Sequence, residues 1–186
     1  MEPKPQRRKR PLYEWEKNEA QIVFGNSLNF ERVRINEGVR WPDTFNIIGR
    51  RLKKMPPPGP KDHNAITLGF SCNFPVNLPE TNPSPGNPDE FFVNWLIHEL
   101  THCWQHQHTG PIYIVRALSA QFRLKDEAYK FGGEPNLINI RTAGGNIYSF
   151  NPEAQAVIAQ TYYLRLRKNL NVTAFEPYID DIRKAT

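Results

Sequence analysis

Residues 90–108 read EFFVNWLIHELTHCWQHQH, and the arrangement of the whole chain follows from them. The apolar residues Phe91, Phe92, Val93, Trp95, Leu96, Ile97, Leu100, Cys103 and Trp104 lie nearly all round a helical wheel. That is the pattern of a helix buried at the centre of a domain, not one laid on its surface. Asn87 or Asp89 can cap its start, and Gly110-Pro111 ends it. Burying an unpaired carboxylate in such a helix costs several kcal/mol, so Glu99, in its middle, calls for a partner or a task.

Upstream, residues 12–24 (LYEWEKNEAQIVF) space Leu12, Trp15, Glu19, Ile22 and Val23 at helical intervals, with Gly25 as the stop. Two β-prone pieces follow, at 32–35 and 65–70, the second paired with 72–76 around a bend. Nine of the seventeen prolines fall between Pro56 and Pro88, which excludes helix and central strand there and marks 81–88 as an exposed loop. Downstream, a helix is expected over 112–124. The glycines at 132, 133, 144 and 145 indicate turns around a short β-like piece, LINIR. Asn151-Pro152 opens a last helix to about residue 169, with asparagine as cap and proline in the first turn. The fold expected is α+β: a buried central helix, a small β-sheet and a C-terminal helical part.

The chain has 186 residues, 39% of them hydrophobic, enough for one domain, expected over 12–186. There is no apolar run of ~18 residues, so no membrane span is expected, and the first twenty residues lack the apolar middle of a secretory signal. The two cysteines, Cys72 and Cys103, suit a reducing compartment as free thiols, with one bridge between them left open. Of the net charge of +5, residues 1–10 carry +4, so 1–11 reads as a basic, disordered tail and the rest of the chain is nearly balanced. A specific nucleic-acid partner is therefore not expected.

Within the helix, His98-Glu99-Leu100-Thr101-His102 matches H-E-x-x-H. Histidines four apart project from one face, so both imidazoles reach a single ion. Zinc suits imidazole and carboxylate donors and keeps a fourth position for water when the protein supplies three ligands. Glu99, beside the first ligand, is the candidate general base. The third ligand must come from elsewhere. His108 has the spacing of a third histidine, but position 105 is Gln105 where a turn-forming glycine is needed, and no methionine lies downstream. His106 is too far along a straight helix. Glu153 fits best, in the first turn of the last helix on the stripe of Val157, Thr161 and Leu164; Glu127, Asp126 and Glu134 are the rivals. Tyr148, Tyr162, Tyr163, Arg141 and His106 are all candidates to stabilise an oxyanion, with nothing to choose among them.

The run HELTHCWQHQHTG, with AITLGFSCNFP before it, NPEAQAVIAQTYY after it and the early VFGNSLNFERVRINEG, resembles the zincin-like metallopeptidase domains associated with Rhs and spike proteins of type VI secretion and contractile injection systems. The resemblance implies zinc held by His98, His102 and Glu153, with Glu99 catalytic, in a single zincin-like domain. It implies a zinc-dependent metallopeptidase acting on a protein or peptide substrate, as an injected bacterial effector or toxin. Such a protein would be made in the cytoplasm without a Sec signal and exported through the injection apparatus, with a secretion-apparatus or immunity protein as partner. The alternative it implies is a catalytically inactive interaction or loading module of the same machinery.

Overall fold

The structure, a computed structural model, describes residues 5–39, 64–84, 86–110 and 129–185. Among them it is a mixed α+β arrangement of five helices and one four-stranded sheet. In chain order these are β1 (Arg8–Arg10), α1 (Glu14–Phe24), β2 (Arg34–Glu37), β3 (Ile66–Leu68), β4 (Ser71–Asn73), α2 (Glu90–Thr109), α3 (Gly133–Thr142), α4 (Pro152–Arg167) and α5 (Glu176–Lys184). No helix among the described residues is long and apolar enough to cross a membrane.

Helix α2 is the buried helix read from residues 90–108. Leu96, Ile97, Leu100 and Trp104 are at most 1% exposed, each contributing roughly 1.5–3 kcal/mol by leaving water. It is covered by α4 on one side and by β3 and β4 on another. Asn87 makes an Asx turn ahead of the helix and does not cap it: its Oδ1 accepts from the Asp89 N–H at 2.9 Å, while Asp89 occupies the N-cap position without a side-chain bond of its own.

The sheet runs β1-β2-β4-β3, with β1 antiparallel to β2, β2 parallel to β4, and β4 antiparallel to β3. The β3–β4 hairpin is the bend expected between 65–70 and 72–76. Gly69, the first residue of its two-residue turn, has φ 63°, a left-handed value that a side chain adopts only with strain. Register places Cys72 opposite Ile35 on one side and Thr67 on the other.

The described part of the expected tail departs from the reading. Arg8–Arg10 forms a strand, and Arg10 is only 7% exposed. Antiparallel pairing with β2 sets Arg8 and Arg10 beside Glu37, and α1 brings Glu16 to Arg10. The Arg10 guanidinium meets Glu16 at 2.6 and 2.9 Å and Glu37 at 2.7 Å, lying 3.9 Å over the Tyr13 ring. A charge run reads as solvated only while its partners are unknown; here two buried carboxylates compensate it.

The LINIR piece is also different: residues 133–142 form α3, not a β-like segment. Pro135 sits in the first turn, where its missing N–H costs nothing, Asn136 donates to the Phe131 carbonyl at 2.7 Å, and Leu137 is fully buried while Ile138 is exposed. Helix α5 was not anticipated as a separate element; it buries Tyr178, Ile179 and Ile182 on one face. The expected helix over 112–124 lies outside the described residues. The described residues of the loop at 81–88 are mostly exposed, with Asn82 pinned by a 2.6 Å bond to Glu19.

Candidate metal centre

Two helices meet at the site. From α2, His98 and His102 project on one face a turn apart, their ring centroids 5.1 Å from each other. From α4, Glu153 projects out of the first turn because Asn151 caps it: Asn151 Oδ1 accepts from the N–H groups of Glu153 at 3.0 Å and Ala154 at 3.1 Å. Glu153 Oε2 lies 3.4 Å from His98 Nε2 and 3.6 Å from His102 Nε2. One donor atom from each of the three residues falls within 4.8 Å of the others.

These separations fit a metal. Ligands about 2.0–2.1 Å from a tetrahedral zinc stand about 3.4 Å apart along the edges of the tetrahedron. Both carboxylate–imidazole distances are close to that value. The set of two imidazoles and one carboxylate is one that zinc accepts, and it leaves a fourth position for water or substrate.

The outer ring nitrogens are held in place. His102 Nδ1 lies 2.8 Å from Gln105 Oε1, and His98 Nδ1 lies 3.1 Å from Gln160 Oε1. A backbone carbonyl sets the orientation of the first contact: Gln155 Nε2 donates to Phe150 O at 2.8 Å, which leaves Gln155 Oε1 to accept from Gln105 Nε2 at 2.9 Å. Gln105 Nε2 also donates to Pro152 O at 2.8 Å. Gln105 Oε1 must then accept, so His102 Nδ1 donates and Nε2 turns toward Glu153. One side chain thereby ties His102 on α2 to the backbone just before Glu153 on α4.

Burial alone would lower the pKa of His102, but Glu153 outweighs it and pushes the imidazole up to about 9. Burial would likewise raise the Glu153 carboxyl, and His102 with His98 instead hold it well below the usual carboxylate range. A proton shared in this way does for the carboxylate part of what a bound cation would do.

Glu99 is 4% exposed, and its Oε2 accepts from the Thr67 hydroxyl of β3 at 2.7 Å. Thus the β3–β4 hairpin supplies the partner that a glutamate in this helix calls for. Cys103, the residue after His102, faces the sheet, where burial pushes its thiol up.

Other sequence candidates go elsewhere. His108 Nε2 lies 2.9 Å from Ser27 O, and His106 packs edge-on against Phe70. Glu134 pairs with Arg165 at 2.9 Å; Asp126 and Glu127 lie outside the described residues. Tyr163 donates to Glu19 at 2.9 Å, with burial and that bond pushing its hydroxyl up, and Tyr162 lies against Arg183. Tyr148 stacks on Trp104, and Arg141 pairs with Asp181 at 2.9 Å. Among the described residues, none of these candidates is assembled with His98, His102 and Glu153. Tyr129, which sequence reasoning passed over, stacks on the His98 ring with centroids 6.4 Å apart. Thr67, Gln105, Gln155 and Gln160 were passed over too; for the glutamines the available signal was a polar side chain on the inner stripe of a buried helix.

Comparison of the chain with protein-family models, with curated proteins and with solved structures gives no match.

Proposed function

We propose that the protein is a zinc-dependent peptidase of zincin type whose metal is held by His98, His102 and Glu153. The observation that carries this reading is the pair of carboxylate–imidazole separations, 3.4 and 3.6 Å, on donors whose outer nitrogens are already bonded. Zinc bound there supplies Lewis acidity, polarising a carbonyl and making a water acidic enough to lose a proton near neutral pH.

The protein's own residues do the rest. Gln105 and Gln160 keep the imidazoles in the tautomer that offers Nε2. Thr67 bonds one oxygen of Glu99 and holds the carboxylate in place, leaving the second oxygen to take a proton from the attacking water and hand it to the leaving amine. A buried carboxylate kept at the metal helix by a single hydroxyl is suited to proton transfer. The resemblance of residues 98–110 and 151–163 to injected effectors supports protein as the substrate and a secretion apparatus as the route.

Glu99→Gln tests the assignment. The variant keeps the shape and the Thr67 contact and lacks the base, so hydrolysis of an unfolded protein substrate should fall at least ~100-fold with fold and zinc content unchanged. Undiminished hydrolysis by the variant contradicts the mechanism. An inert wild type with full zinc points instead to a metal-bearing interaction module.

A further inference from the structure

The two cysteines of the chain come from separate elements and meet. Cys72 lies on β4 and Cys103 on α2, thirty-one positions apart in sequence, yet their sulfur atoms are 3.4 Å from each other and both residues are fully buried. Nothing in the proposed metal chemistry uses them. Their position is distinctive: Cys72 is the register partner of Thr67, which bonds Glu99, and Cys103 is one helical turn beyond Glu99 and next to His102. The pair therefore lies where the hairpin that steadies Glu99 is packed on the helix that carries both histidines.

We propose that Cys72 and Cys103 are a cross-linking site, which closes to a disulfide between β4 and α2 when the chain folds in an oxidising compartment. Each thiol gives up one proton, and the two sulfurs together give up two electrons as the S–S bond forms. The oxidant is a disulfide-bearing compound such as oxidised glutathione; its own S–S bond breaks, and it takes both electrons and both protons to leave as two thiols. The intermediate is a mixed disulfide on one of the cysteines. Neither sulfur is accessible in the folded protein, so that intermediate forms before α2 has closed on the sheet. The bond is thus set at folding: a chain folded in a reducing cytoplasm carries two thiols, and one folded again outside it carries a bolt beneath the Thr67–Glu99 contact.

The test is refolding of the full chain from denaturant, in one arm with a reductant and in the other with a mixture of reduced and oxidised glutathione. Both products are alkylated in denaturant and weighed, and the oxidised arm is mapped by peptide mass spectrometry. The oxidised product should take up no alkylating agent and yield one linked peptide containing Cys72 and Cys103. Its thermal midpoint should lie ~10 °C above that of the reduced product, as expected for closing a loop of this length. Oxidised glutathione added to the folded, reduced protein should leave both thiols alkylatable after hours. Two free thiols in the oxidised arm, or a bond only between chains, overturns the proposal. So does rapid oxidation of the folded protein, which contradicts closure at folding. These readouts are independent of zinc and of hydrolysis.

Discussion

At one end of the sheet Glu16 and Glu37 are buried against Arg10, whereas at the meeting of α2 and α4 Glu99 and Glu153 are buried against a threonine and two imidazoles. The first corner is complete in itself, since a guanidinium keeps its charge at any ordinary pH and forks onto both carboxylates. At the second, the partners among the described residues are a hydroxyl and two imidazoles. We propose that the difference separates a structural charge cluster from a site that receives an ion, since two imidazoles and a carboxylate are metal donors and a guanidinium is not.

Four measurements break or sharpen that contrast, beginning with the largest effect. Arg10→Ala leaves Glu16 buried without its cation and Glu37 with Arg8 alone, and should destabilise the domain by about 3–5 kcal/mol in urea unfolding, with zinc binding by the remaining folded fraction unaltered. A loss below 1 kcal/mol would remove the claim that this corner is self-sufficient.

Next, the metal-free protein should lose stability on the alkaline side. The His102 pKa is raised from 6.5 to about 9, so the stabilisation is fully present below pH 6.5 and disappears as pH rises through 9. Glu153, held low by the same pair, loses it on the other side, as acidification below pH 4.5 protonates the carboxylate. The predicted fall between pH 6.5 and 9 is about 3 kcal/mol, and it should vanish when zinc is bound, because the coordinated imidazoles are then neutral. Unfolding midpoints with chelator and with zinc across that range decide the point; equal slopes contradict it.

The third variant, Gln105→Met, preserves volume and removes the link from His102 to Pro152 O and Gln155. Zinc affinity, read by competition with a chromophoric chelator, should weaken 10–100-fold, and the visible spectrum of the cobalt-substituted protein should change. An unchanged affinity would assign Gln105 to packing alone. Smallest of all, Lys17→Ala removes a pair formed with exposed Glu14 and Glu31 and should leave the unfolding midpoint where it was.

The central helix was legible because its pattern is local: nine apolar residues around a helical wheel, a turn signal at Gly110 and two histidines four apart. Glu153 was legible for a similar reason, since Asn151-Pro152 fixes where α4 starts and hence which face its first turn presents. What escaped depends on partners distant in sequence. The arginines of β1 read as solvated until Glu37, twenty-seven positions beyond Arg10, is found across the ladder. The LINIR piece is β-branched and glycine-flanked, but its helix is held by Leu137 in the core and by Tyr178 of α5, whose hydroxyl donates to Leu137 O at 2.6 Å. Thr67 and Gln105 carry no motif at all; their meaning comes from the side chains that folding sets opposite them.

The account rests on a cation between α2 and α4, and zinc per chain by elemental mass spectrometry tests it most directly, on the wild type and on a folded Glu153→Ala variant prepared in the same way. The account predicts about one zinc per chain in the wild type and clearly less in the variant. Equal zinc in both, or none in a wild type supplied with zinc and freed of excess, would contradict it.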